Sequence, residues 1–158
     1  MNQHLDNALT MQDATGNQSK DVYRRRFKEE IKFRSTMWKA LCDGYFQKFI
    51  PTDSVVLELA AGYCEFINTI HAAKKHAVDI NEQTLNYAGP DVKVLLTKST
   101  DLSSVGDSTV DVVFVSNFFE HISKPDITQT IKECYRILRL NGHLLILQPN
   151  IRYIKKDY

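Results

Sequence analysis

Cysteine is scarce in this sequence: 158 residues hold three, Cys42, Cys64 and Cys134, with no Cys-x-x-Cys pair. That count and spacing exclude a disulfide framework and a structural zinc site. Free thiols point to a reducing compartment, so a cytoplasmic protein is expected. Neither charge is in excess, with 20 Lys and Arg against 19 Asp and Glu for a net charge of +1. No whole-protein field draws the chain onto nucleic acid or an anionic membrane. Long apolar runs are also missing: none approaches the ~18 residues that span a bilayer, and the polar opening lacks the apolar stretch of a signal peptide.

What is present organises into three parts. Residues 1–20 are rich in Asn, Gln, Asp and Thr and read as a flexible tail. Residues 21–50 read as a helical segment with Phe27, Ile31, Trp38, Leu41, Tyr45 and Phe49 on one face, closed by Pro51. Its Tyr23 end is expected to act as a lid and its Trp38 to Phe49 end as core. Arg24, Arg25, Arg26, Lys28, Lys32 and Arg34 form a basic cluster there, read as a solvated helix face.

From residue 51 onward two periods alternate. Short β-branched runs at Ser54–Leu59, Ala77–Ile80, Val92–Leu96, Val110–Val115 and His143–Leu147 predict five strands. Helices are expected after the first turn, through Phe66, Ile67 and Ile70, over Glu82–Ala88, and from Pro125 to Asn141-Gly142. The last carries the stripe Ile127, Ile131, Cys134/Tyr135 and Leu138. Apolar strands separated by helices imply a parallel sheet covered on both faces, and right-handed crossovers make it a doubly wound α/β sheet. Ligands of such sheets sit at the carboxyl ends of the strands, beside the point where strand order reverses. Glu58 to Cys64, Asp79 and Ser116 to His121 should converge there.

The first turn, Glu58-Leu-Ala-Ala-Gly62-Tyr-Cys64, has one glycine where a dinucleotide fingerprint has three. A pyrophosphate would meet side chains at the outer positions and the Glu58 carboxylate at the strand end. A cationic nucleoside has the opposite preference, and S-adenosylmethionine carries a sulfonium and an ammonium with no phosphate. Asp79 follows Glu58 by 21 positions (79 − 58), the spacing at which a carboxylate meets a ribose diol; its bland alternative is a helix cap. For Glu58 the bland alternative is a satisfied carboxylate capping nearby amides.

Glu58-Leu-Ala-Ala-Gly62, Val78-Asp79, Val110-Asp-Val-Val-Phe-Val-Ser-Asn-Phe-Phe-Glu-His121 and Glu133-Cys-Tyr-Arg-Ile-Leu-Arg-Leu-Asn-Gly142 through Asn150 form an ordered series. It resembles the successive motifs of the class I S-adenosylmethionine-dependent methyltransferases, nearest the ubiquinone-biosynthesis-type and small-molecule subgroup, over about Ser54 to Asn150. The resemblance implies a Rossmann-like fold. It implies a cofactor held by Glu58, Ala60, Ala61 and Gly62 at the methionine end and by Asp79 and Ile80 at the ribose, with Asn117 and Phe118 near the methyl group. Many relatives place an acid after the third strand against the adenine amino group; this region reads Thr97-Lys-Ser-Thr-Asp-Leu102, so adenine contacts fall to the Ser99 and Thr100 backbone or to Asp101. S-adenosylhomocysteine is the implied product.

Methyl transfer by direct in-line displacement needs alignment, desolvation and, for a protic acceptor, a base. His121 is the first candidate base and Glu120 the second; for both the bland alternative is a structural hydrogen bond. The implied partner is a small-molecule acceptor, with neither membrane nor nucleic acid expected, the only further basic cluster being Arg152, Lys155 and Lys156. The family fold continues beyond its fifth strand, so the sheet is expected to be truncated there. The favoured expectation is that the chain is a fragment; otherwise a second copy (a homodimer), another partner or the N-terminal helix covers the open edge. The alternative function is a cofactor-binding but catalytically idle module that works through a partner.

Overall fold

A computed structural model describes residues 33–150. The expected tail, the Tyr23 lid, Phe27, Ile31, the basic cluster up to Lys32 and the segment 151–158 lie outside the described residues. The chain divides into two units, Met1–Met37 and Trp38–Tyr158, and the fold below is that of the second.

Five strands form one sheet: β1 (Val55–Leu59), β2 (Lys74–Asp79), β3 (Val92–Leu96), β4 (Val110–Ser116) and β5 (Leu138–Leu147). Every pairing is parallel, in the order β3-β2-β1-β4-β5, so the doubly wound sheet expected from the alternating periods is what forms. β1 and β4 are the most buried strands, with only Val55, Asp111 and Ser116 partly exposed, because both faces of the central strands are covered; hence their mainly apolar text. Strand order reverses between β1 and β4, which fixes the crevice at their carboxyl ends.

Alternation of side chains divides the core into two. Val56, Ala77, Val112 and Phe114 face a layer built from Trp38 and Cys42 of helix α1 (33–44), Phe46, and Phe66 and Ile67 of helix α2 (Glu65–Thr69). Phe66 stacks on Phe114 with ring centroids 3.7 Å apart, and Trp38 and Phe46 meet both rings edge-on. On the other face Leu57, Leu59, Val78, Val113 and Val115 pack with Leu102 and with Cys134 and Ile137 of helix α3 (Lys124–Ile137).

Several sequence expectations need correction. The apolar face of the amino-terminal segment is only partly the one read from periodicity: Trp38 is buried and Leu41 packs against the core as expected, but α1 ends at residue 44, a 3-10 turn over Phe46–Phe49 follows, and Cys42, Phe46 and Ile50 are buried where Tyr45 and Phe49 are exposed. The expected helix over Glu82–Ala88 is a 3-10 turn over Glu82–Asn86. α3 buries Thr130, Cys134 and Ile137, leaving Ile131 44% and Tyr135 85% exposed, so its inner face is rotated from the predicted stripe. It also ends earlier. β5 starts at Leu138, and Asn141-Gly142, expected to end a helix, lie within that strand beside a register irregularity at Val110/Val112. Glycine is required at 142, where a Cβ would lie 2.9 Å from the Arg139 carbonyl oxygen and 3.0 Å from that of Asp111.

Candidate functional site

The turn after β1 alternates in handedness. Ala60, Gly62 and Cys64 have φ of 52°, 50° and 56°, all in the left-handed region that favours glycine. The Ala61 N–H donates to the Val78 carbonyl and the Cys64 N–H to the Ala61 carbonyl, which fold the turn tightly against β2. Asp79 locks it. Its Oδ2 accepts the Gly62 N–H at 2.8 Å and its Oδ1 accepts the Asn81 N–H at 2.9 Å. The cap of the following 3-10 turn is Asn81, which accepts the Gln83 N–H, while Asp79 accepts the Asn81 N–H one step before it. Ile80, beside it, projects into solvent.

Glu58 departs most from expectation. Its position in β1 puts it on the face shared with Val56, and it is 4% exposed, with Oε2 accepting the Ile67 N–H of α2 at 3.1 Å. Burial pushes its carboxyl up to about 8; the Ile67 N–H opposes this, and Glu65 and Asp79 add to it. At neutral pH the group is therefore mainly protonated. An anionic Glu58 repelling paired phosphates, the basis of the sequence argument, is corrected accordingly, and the amide-capping alternative describes what the side chain does. Burial likewise pushes the nearby Cys42 and Cys64 thiols up to about 12, with Glu58 adding to each, which leaves no thiolate nucleophile.

A second group gathers at the ends of β4 and β5. Asn117, with φ of 46°, donates its N–H to the Leu147 carbonyl, and the chain then enters a 3-10 turn over Phe119–His121. Phe118 is half-buried against the α3-side core. Glu120 accepts from Gln148 Nε2 at 2.6 Å, while His121 Nε2 lies 3.9 Å from its other oxygen and the imidazole is largely exposed. Ser99 is turned toward α3, its hydroxyl 2.8 Å from that of the buried Thr130, and Thr100 is half-buried beside it. The turn and Asp79 are thus bonded to each other, as are Glu120 and Gln148. Gln148 escaped the sequence reading. Its only signal there was its place after the last strand, in Gln-Pro-Asn.

A cavity of about 520 Å³ opens at the amino ends of the strands, lined by Lys48, Phe49, Ser54, Asp111, Arg139 and His143, and lies at the opposite end of the sheet from these groups. Among the described residues no cluster of three or more His, Cys, Asp and Glu is placed to hold a metal ion, and no helix is long and apolar enough to cross a membrane.

A parallel sheet in this order, with a left-handed turn braced by the carboxylate that ends the adjacent strand, defines an α/β protein of the nucleoside-cofactor-binding class. Residues 57–146 match the methyltransferase domain family, and the chain belongs to that family, whose cofactor is S-adenosylmethionine. Among solved structures it is similar to an S-adenosylmethionine-dependent methyltransferase from Archaeoglobus fulgidus, at 25% identity and a TM-score of 0.65 over 80% of this chain and 59% of that one. A Pyrococcus horikoshii protein matches at 23% identity and 0.66, over 76% and 59%. The phosphoethanolamine N-methyltransferase 1 of Haemonchus contortus, solved with phosphoethanolamine and S-adenosylhomocysteine, matches at 18% and 0.58, over 73% and 26%. The chain therefore spans about three-fifths of the length of the first two. No curated protein matches it.

The residues present fit the cofactor. A Cβ added at Gly62 would meet nothing nearer than the Ala60 carbonyl oxygen at 4.0 Å, so the space over the turn is open. Each Asp79 oxygen has one backbone donor, which leaves each with acceptor capacity for a diol.

Proposed function

We propose that this chain is the cofactor-binding core of an S-adenosylmethionine-dependent methyltransferase that acts on a small-molecule acceptor. The Gly62–Asp79 bond carries the reading, because it brings the turn and the diol-binding carboxylate together as one rigid piece. Ala60, Ala61 and Gly62 would hold the methionine end, Asp79 and Ile80 the ribose, Ser99 and Thr100 the adenine side, and Asn117 and Phe118 the reactive end. When bound, the cofactor supplies an electrophilic methyl carbon on a sulfonium.

The chain's own contributions are alignment, exclusion of water and acceptance of a proton from the acceptor. Glu120 and His121 are the candidate bases, adjacent at the reversal of strand order. Burial pushes the Glu120 carboxyl up, but the Gln148 amide, its own backbone N–H and His121 outweigh this and hold it below the usual range. It is an ionised acceptor at neutral pH. Glu58 sits beneath the turn as a neutral hydrogen-bonding acid and not as a charge facing the ligand.

Calorimetry with S-adenosylmethionine and with NAD tests the reading. Binding of the first and not the second is expected. Asp79→Asn should weaken S-adenosylmethionine about 10- to 100-fold, the worth of one charge-assisted hydrogen bond. Binding of NAD alone, or unchanged affinity in Asp79→Asn, would reject it. Binding without turnover on an acceptor panel would instead favour an idle module, a reading that the non-glycine residues at positions 60 and 64 motivate.

A further inference from the structure

The ends of β4 and β5 are joined by more than their sheet pairing. Gln148, two positions from Asn150 and just past β5, uses both ends of its amide: Oε1 accepts the Phe118 N–H at 3.1 Å, and Nε2 donates to Glu120 Oε2 at 2.6 Å. Those two bonds fix the amide's orientation, since the reverse would set a carbonyl oxygen against a carboxylate and an amino group against an N–H. The Asn117 N–H to Leu147 carbonyl bond anchors the backbone on both sides, and the His121 N–H to Phe118 carbonyl bond closes the turn that carries Glu120. A flexible, exposed carboxylate would sample several rotamers. Here one oxygen is held, and the other faces His121 at 3.9 Å.

We propose that Gln148 is a positioning residue that fixes Glu120 as an oriented proton acceptor beside His121 at the crevice. The assignment deepens the methyltransferase reading and rests on it for its purpose. The hydrogen-bond relay itself is independent of that reading. Among the described residues, the titratable group that faces Glu120 is the His121 imidazole, and the other side-chain contact is the Gln148 amide. An amide is the side chain suited to the task, because it donates to the carboxylate and accepts from the backbone at the same time. Leucine can do neither, and glutamate at neutral pH adds a like charge.

The experiment is a ¹³C NMR titration of the side-chain carboxyls in the full chain without cofactor, comparing wild type, Gln148→Leu and Gln148→Glu. In wild type the Gln148 side-chain amide resonances should move with the Glu120 titration. In Gln148→Leu the Glu120 midpoint should rise by about one pH unit. In Gln148→Glu the two carboxyls should titrate as a pair sharing a proton, with one midpoint well above the ordinary range. Side-chain amide resonances in wild type that ignore the Glu120 titration would overturn the proposal, and that readout requires no variant to fold. An unchanged Glu120 midpoint in a folded variant would do the same. Because no cofactor is present, this outcome is separable from a failure of S-adenosylmethionine to bind.

Discussion

Replacing Glu58 with glutamine should abolish a large part of the protein's loss of stability with alkali. Burial raises this carboxyl from its ordinary 4.5 to about 8, so the folded state holds its proton over a range in which the unfolded chain has released it. Stability from this group is therefore fully present below about pH 4.5 and is lost as pH rises through about 8. Taking 4.5 to 8 as the interval, at about 1.4 kcal/mol for each pH unit, the loss amounts to roughly 5 kcal/mol. That is comparable to the whole stability of many domains. Glutamine keeps an oxygen for the Ile67 N–H and has no proton to lose. Urea unfolding midpoints of wild type and Glu58→Gln, measured from pH 5 to pH 9, should nearly coincide at pH 5, diverge up to about pH 8 and then level off, with the variant several kcal/mol more stable at pH 9. Curves that run parallel across the range would show that Glu58 is not a buried neutral acid, and the reasoning would fail.

Ala60→Gly relieves a left-handed alanine and should stabilise the fold by up to about 1 kcal/mol, the Cβ strain being partly offset by the extra freedom of glycine in the unfolded chain; a fall in the thermal midpoint would contradict this. Arg136→Ala should cost about 2–4 kcal/mol, because the guanidinium bonds the Leu102 and Val105 carbonyls and pairs with Glu133 and Asp107, tying α3 to the segment before β4. Denaturant titration measures it, and a cost below about 0.5 kcal/mol would place the knot among weak surface pairs.

The strands were legible because parallel strands write themselves as short, largely apolar runs; even the edge strand Val92–Leu96, interrupted by the exposed Lys93 and with no fully buried residue, matches to the residue. Helix faces were not. Thr130 is polar yet fully buried, satisfied by the Ser99 hydroxyl, so a reading by hydropathy turns α3 the wrong way. The start of β5 was hidden by Asn141-Gly142, which reads as a helix end until the close approach of the Asp111 backbone shows why glycine is there. In the site, Gly62 and Asp79 declared themselves through spacing along the chain. The environment of Glu58 did not, because β1 is covered on both faces and its text does not say which side α2 covers. Gln148 was invisible for a related reason: its meaning comes from Phe118 and Glu120, about 30 residues earlier, and arises only when β4 and β5 pair.

The all-parallel pairing has a consequence for how the chain comes into being. Among the described residues no two strands form a hairpin, so each must wait for a neighbour further along the chain; Val56 of β1 meets Val112 of β4, which is made 56 residues later (112 − 56). At translation rates of about 5–20 residues per second, the most deeply sequestered strand of the sheet stays without that companion for roughly 3 to 11 s during synthesis. One side of β1 therefore stays without its strand partner throughout that interval.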